Sequence, residues 1–367
     1  MSALAGYSIG VGRVHNAHIS LGFKVAPNWC RSQATNHEWP RRYSTPAAES
    51  VPLGKRSYLY VPSSSDKMLN KSLVTKSDVI VYDLEDSVPP SAADKNSARN
   101  RLVQFIQGKS QNEMPLPERL AVRVNAVNTP FFSEDILQAV QLNPIRTLLL
   151  PKIHSASDLH TVSHRMQSSL DLTGSTRTEP INIVASIESA RALFNIGEIA
   201  SWQSELGPLL GGRLTALLFA AEDYCADTMI IRTKTRQELL YTRSQIAITA
   251  RAFGLQAIDM VCVDYKDLDY LKDECDDGRR LGFTGKQAIH PMQVETIQSS
   301  FLPTAKEILR AARILRQMEK AHSQQRGAAG LATEDGSMEM IDAPMIKQAE
   351  NTIRIAKSAG LEIPHVD

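Results

Sequence analysis

Glu188 and Asp223 each close a run of apolar residues, in IVASIE and TALLFAAED. Two carboxylates with no Cys or paired His beside them select a hard, oxygen-seeking cation. Mg²⁺ fits best, because it takes one or two protein carboxylates and completes its shell with water and substrate oxygens. The alternative is that each acid caps the following helix or pairs with a lysine. Arg123, in AVRVN, carries a planar fork suited to a carboxylate or enolate oxygen, or to an ion pair inside the same site. Asp83, Glu85 and Asp86 crowd three acids into VIVYDLED, which raises some of their pKa values or requires cationic partners. Holding Arg123 or the waters of a metal suits them better than direct ligation. Lys67 and Lys71 lie four apart on one helical face, as a phosphate clamp or as a solvated basic surface. His290 is a core histidine, a general base or a substrate contact.

These residues share a position in the pattern: each follows a short β-rich run. The strands are expected at Ser57–Val61, Asp78–Asp83, Leu120–Asn125, Thr147–Lys152, Ile181–Glu188, Ala216–Asp223, Ala257–Asp264 and Gly282–His290. Near-continuous apolar runs such as VIVYDLED and TLLLPK suit strands buried on both faces, hence a parallel sheet covered by helices. Helical patterns fall between them, among them Ala92–Gln107, Asp158–Leu170 and Thr235–Phe253, the last stopped by Gly254. About eight strand–helix units over about 250 residues is the size of a (β/α)₈ barrel, whose active site lies at the C-terminal ends of its strands. The competitor, a doubly wound open sheet with a dinucleotide site, lacks the G-x-G-x-x-G after its first strand. The spacing therefore predicts an α/β fold, a TIM barrel with a C-terminal helical extension.

Within 367 residues the parts divide as a leader over 1–50, the barrel over 51–322, a mobile Gly-, Ala- and Gln-bearing connection over 323–338 and a C-terminal segment over 339–367. The barrel is followed by a basic helix over Ala305–Ala321, and the final segment holds a helix from about Pro344 to Ala359, with Asp342 as its N-cap. This helix covers its own barrel or that of a neighbour. No Asp or Glu occurs from Met1 to Asn36, while Arg13, Lys24 and Arg31 do, which is the composition of a mitochondrial transit peptide ending near Arg41-Arg42-Tyr43-Ser44. The alternative is a disordered tail. With 41 basic and 40 acidic residues the chain carries no charge excess of the kind that nucleic-acid binders concentrate on one face. No apolar run approaches the roughly 20 residues of a membrane span. Cys30, Cys225, Cys262 and Cys275 lack C-x-x-C spacing and read as free thiols.

Taken together, LYVPSSSDKMLNKS, DVIVYDLEDSV, AVRVN, LLLPK, IVASIESA, AAEDYCAD, FGLQAID, LGFTGKQAIHP and MIDAPMIKQAEN closely resemble the mitochondrial citrate-lyase-beta-like proteins, the citramalyl-CoA lyase family. The resemblance runs from about Tyr58 to Ala359. It implies a Mg²⁺-dependent barrel enzyme, usually a homotrimer of the mitochondrial matrix, that cleaves (3S)-citramalyl-CoA to acetyl-CoA and pyruvate. By motif it implies Glu188 and Asp223 as metal ligands, and Tyr60, Lys67, Lys71, Arg123, Ile289 and His290 as contacts of the CoA-thioester substrate. It implies Arg123 and Asp342 as the catalytic pair, Asp342 being delivered by the C-terminal segment, often to an adjacent subunit. The family usually shows YVPG-N where this chain has Ser63-Ser64-Ser65, EDG where it has Glu85-Asp86-Ser87 and Gly-Gly-Glu-Asp where it has Ala220-Ala221-Glu222-Asp223. An acyl-carrier-protein-dependent citrate lyase subunit, a malyl-CoA or methylmalyl-CoA lyase and an inactive CoA-ester-binding protein are the other classes these residues allow.

Overall fold

The computed structural model describes residues 54–110, 112–332 and 336–366. The leader, its cleavage region and Cys30 lie outside the described residues. Eight parallel strands close into a barrel: β1 (Ser57–Pro62), β2 (Val79–Asp83), β3 (Leu120–Arg123), β4 (Thr147–Leu150), β5 (Asn182–Ile187), β6 (Arg213–Phe219), β7 (Gln256–Asp259) and β8 (Gly285–Ala288). The order is that of the chain, and β8 returns to pair with β1. One helix follows each of the first four strands: α1 (Asp66–Ser72), α2 (Ala92–Gln107), α3 (Phe132–Gln141) and α4 (Ala156–Thr173). Three short helices follow β5, namely α5 (Ala190–Phe194), α6 (Ile196–Ser201) and α7 (Gly207–Gly211). After β6 come α8 (Ala221–Thr228) and α9 (Leu240–Ala252), after β7 comes α10 (Leu268–Leu281), and after β8 comes α11 (Gln293–Ser300).

The expected fold is therefore present, with strand ends trimmed. At β7 the expected strand to Asp264 stops at Asp259, and at β6 the expected strand to Asp223 stops at Phe219. Ala221, Glu222 and Asp223 instead open α8, where acids are favoured by the positive end of the helix dipole. Helix ends carry the usual signals. Ser91 caps α2, a Ser155–Asp158 box opens α4, and Gly174 and Gly282 close α4 and α10 with φ of 60° and 101°.

Side-chain alternation divides the barrel core in two. One set of residues (Tyr58, Val79, Val81, Ala121, Leu149, Val184, Ala216, Leu218 and Ile258) fills the interior. The other set, including Leu59, Ile80, Tyr82, Val122, Leu148, Ile183 and Leu217, packs outward against the helices. Two residues on from interior members, the same faces carry Tyr60, Asp83, Arg123, Ser186 and Ala220 toward the C-terminal mouth.

Beyond the barrel, α12 (Ala305–Ser323) packs against α13 (Ala343–Ser358) around Ile308, Ile314, Met318, Ile341 and Ile353. Where the sequence reads as a mobile connection, residues Ala329–Ala332 (β9) and Met338–Ile341 (β10) form an antiparallel ribbon. Alternation explains it: Ala329, Leu331 and Ile341 turn toward the α12–α13 cluster, whereas Met338 and Met340 face solvent. Among the described residues no helix is long and apolar enough to cross a membrane.

Candidate active site at the barrel mouth

Arg123 sits at the end of β3 with β2 beside it in register, Asp83 opposite Arg123. Its Nε and Nη2 donate to the two Asp83 oxygens, each at 2.7 Å, a bidentate fork. Its Nη1 donates to Asp86 at 3.1 Å and lies 2.8 Å from Glu85 Oε2. The guanidinium plane also lies 4.8 Å from the Tyr60 ring centroid. An arginine has five N–H groups, so at least one on Nη2 remains for an incoming oxygen. Burial alone would push the Asp83 carboxyl up. The Arg123 charge and the N–H groups of Glu85 and Ser87 outweigh it and hold Asp83 below the usual range. Burial raises Glu85 despite Arg123 and Lys152.

Glu188 follows β5 and is 6% exposed. Its Oε1 accepts the main-chain N–H of Lys152, and its Oε2 accepts the Ser186 hydroxyl at 3.4 Å. Burial, then repulsion by the nearby Asp223 charge, pushes its carboxyl up to about 8. Asp223 stands half-buried in the first turn of α8. A buried carboxylate facing a second one is short of positive charge, and a divalent cation between them supplies it. The donor set is oxygen only, and among the described residues no cluster of three or more His, Cys, Asp or Glu has metal-binding geometry. Two carboxylates fit Mg²⁺, which keeps most of its shell for water and substrate.

The Tyr60 hydroxyl donates to Gln287 Oε1 at 2.8 Å, and Gln287 Nε2 donates to the carbonyls of Phe219 and Asp259. Gln287 thus ties Tyr60 to β6 and β7, and burial raises the Tyr60 phenol well above its ordinary range. Lys67 and Lys71 are exposed on α1. Ile289 and His290 follow β8, the neighbour of β1, so all four share one arc of the rim. Ile289 is 43% exposed. The His290 ring lies 4.9 Å from Tyr265, and its Nδ1 accepts the Met292 N–H at 3.2 Å, placing the proton of a neutral ring on Nε2.

Asp342 is not gathered into this mouth. It is exposed at the start of α13, which packs on α12. It occupies the N-cap position, but its carboxylate makes no capping hydrogen bond, contrary to the sequence expectation. Pro344 has no N–H to offer, and the Met345 N–H is taken at 3.1 Å by the Asp342 main-chain oxygen.

Lys95 is a residue that motif reading passes over. Its Nζ donates to the carbonyls of Leu84 and Glu85 at 2.9 and 2.8 Å, fixing the loop whose acids hold Arg123. The signal for it is present in the sequence. Lys95, Ala98, Arg99 and Leu102 form the buried stripe of α2, and a charge in an apolar stripe needs a partner.

Comparison with known proteins bears on the barrel and its family. The model of the HpcH/HpaI aldolase/citrate lyase family matches residues 56–291. The chain is 33% identical over 305 residues to the mitochondrial citramalyl-CoA lyase of Rattus norvegicus, covering 83% of this chain and 86% of that protein. It is 31% identical over 310 residues to the citrate lyase subunit beta of Leuconostoc mesenteroides subsp. cremoris, covering 84% and 95%. Among solved structures, CitE from Mycobacterium tuberculosis in complex with magnesium, acetoacetate and coenzyme A superposes with a TM-score of 0.62 at 27% identity, covering 84% of this chain and 100% of that one. With the family model matched over residues 56–291 and a relative 33% identical over 83% of this chain, the chain belongs to the HpcH/HpaI aldolase/citrate lyase family.

Proposed function

We propose that this protein is a Mg²⁺-dependent carbon–carbon lyase of CoA thioesters, with (3S)-citramalyl-CoA as its substrate and acetyl-CoA and pyruvate as products. The observation that carries the reading is the oxygen-only pair Glu188 and Asp223, set beside a guanidinium with an N–H to spare. Mitochondrial citramalyl-CoA lyases among the relatives support the substrate, and the magnesium- and CoA-bound CitE supports the cofactor. The same relatives and the acid-free leader support a mitochondrial location, which we take to be the matrix.

Glu188 and Asp223 hold the metal, which supplies Lewis-acid polarisation of the substrate's carboxylate and hydroxyl oxygens. The hydroxyl proton passes to a base, its C–O bond becomes the keto group of pyruvate, and the adjacent C–C bond breaks. The bonding pair leaves as the enolate of acetyl-CoA. Arg123, fixed by Asp83 and stacked on Tyr60, presents its remaining N–H to the oxygen on which charge develops, without reorganising. Lys67 and Lys71 meet the CoA phosphates at the rim, beside Ile289 and His290. The cleavage is proton-neutral overall, so the proton taken from the hydroxyl is returned to the methylene carbon of the enolate by way of Asp342, which moves it and ends unchanged. The C-terminal segment carries Asp342 to a mouth, which we take to be that of a neighbouring subunit in a homotrimer.

Purified protein should release acetyl-CoA and pyruvate from citramalyl-CoA with Mg²⁺, and less from malyl-CoA or methylmalyl-CoA. EDTA should abolish the reaction, and Glu188→Gln and Asp223→Asn should each be nearly inactive. Undiminished cleavage in metal-free protein overturns the reading, as does cleavage only of citrate carried on an added acyl carrier protein.

A further inference from the structure

Lys152 follows β4 with φ of 52°, one of four non-glycine residues in the left-handed region among those described. A lysine pays for that conformation with a Cβ–carbonyl clash. The observed result of the turn is that the two ends of one residue reach two different parts of the mouth. Its main-chain N–H meets Glu188 Oε1, and its ammonium donates to Glu85 Oε1 at 2.7 Å. The other Glu85 oxygen faces Arg123 at 2.8 Å. That oxygen is buried and has no aligned hydrogen bond of its own, so the Lys152 hydrogen bond on one oxygen and the Arg123 ion pair on the other hold the carboxylate between them. A continuous chain of contacts therefore runs from Glu188 through Lys152 and Glu85 to Arg123 and Asp83, across the ends of four strands.

We infer that Lys152 is a positioning residue: its left-handed backbone turns its N–H onto the metal carboxylate and its ammonium onto Glu85, which steadies the Nη1 side of the guanidinium that Asp83 grips from the other side, so that the two face one substrate. This rests on the lyase reading above. Strain retained at a site is usually retained for such geometry. The Lys152 end of the pair is 40% exposed and screened by water while Glu85 is 8% exposed, and burial already favours the neutral Glu85 carboxyl, so Glu85 can take a proton when the ammonium is removed. Loss of the ammonium should therefore be felt in turnover and scarcely in folding.

The test compares Lys152→Met, Lys152→Gly and Lys152→Arg in the full chain. All three keep the N–H that meets Glu188, so Mg²⁺ affinity measured by calorimetry should stay within about threefold of wild type. Melting temperatures should stay close to wild type, with the Gly variant no lower than the Met variant because glycine accepts positive φ. For the Met and Gly variants, kcat on citramalyl-CoA should fall by about 30-fold or more with KM changed less, and the Arg variant should recover most of it. Arginine-selective ¹⁵N labelling gives a readout free of activity. The Arg123 Nη1 signals, identified by their loss in Arg123→Lys, should be sharp in wild type and exchange-broadened in Lys152→Met. Wild-type turnover together with unchanged Nη1 signals in Lys152→Met overturns the inference, and so does a turnover loss matched by equal losses of Mg²⁺ affinity and melting temperature. If the wild-type chain cleaves no thioester, the lyase reading falls, and the Nη1 signals still decide the role of Lys152.

Discussion

At the scale of single residues, the mouth is a balance of charge. Arg123 answers Asp83, Glu85 and Asp86, while Glu188 and Asp223 face each other. Arg123→Lys keeps the charge but cannot grip both Asp83 oxygens and still offer an N–H outward. Turnover should fall by about 10²-fold, the scale for losing one donor to a developing oxyanion, and steady-state kinetics will show it. Glu188 makes a second prediction through its carboxyl, raised from 4.5 to about 8. Across that window the folded metal-free chain holds a proton that the unfolded chain has lost, so stability falls as pH rises through it. Mg²⁺ needs the ionised form and must displace the proton. Calorimetry near pH 7 in buffers of different ionisation enthalpy should show release approaching about one proton per Mg²⁺. Glu188→Gln should abolish the release, and a buffer-independent heat would contradict the raised pKa. The residues of the mouth are legible in sequence because alternation carries an interior strand face outward to its end, from Val81 to Asp83 and from Ala121 to Arg123. Pairings between strands are not legible that way. Composition points to the three acids of DLED as holders of Arg123 or of metal waters, and the closed register adds that Asp83 fills the fork and that Lys152 reaches Glu85 across β3.

At the scale of elements, buried parallel strands announce themselves by composition, and α2 is found at its expected bounds because Ser91 and Gly108 mark both ends. Asp223 is not placed by composition, since an apolar run does not show where strand gives way to helix. The ribbon of β9 and β10 is hidden for a different reason. Four-residue strands rich in Ala, Gly and Met have weak intrinsic preference and take their form from the α12–α13 cluster they cover. The same segment yields a sharp test of Asp342. Because Pro344 leaves its carboxylate without a capping hydrogen bond, Asp342→Asn should not change the melting temperature or Mg²⁺ binding, yet should lose nearly all turnover. Normal turnover would return Asp342 to the surface. Mixing Asp342→Asn with Glu188→Gln protomers should restore partial activity if the segment serves a neighbour, and failure to complement would assign it to its own barrel.

At the scale of the whole molecule, the leader and the assembly await solution experiments. Protein recovered from mitochondria should begin near Ser44, and an intact Met1 or Ser2 terminus would leave residues 1–50 as a tail. The barrel's closure carries a consequence of its own. The ring is sealed where β8 meets β1, Ser57 beside Lys286, and it is sealed tightly. A Cβ on Gly285 would lie 2.5 Å from the main-chain oxygens of Lys55 and Arg56. Strands from opposite ends of the barrel sequence must therefore find each other before the sheet has no edge. During synthesis β1 emerges first and waits with its outer hydrogen-bonding groups unpaired until nearly all of the barrel has followed. Such long-range closure is slow, and an open parallel edge is where chains stick to one another. Gly285→Ala, by resisting the last seam, should prolong that interval, so that refolding yield falls as protein concentration rises while the wild-type chain refolds cleanly. The stability of the finished ring thus comes with an obligatory period of exposure in every newly made chain.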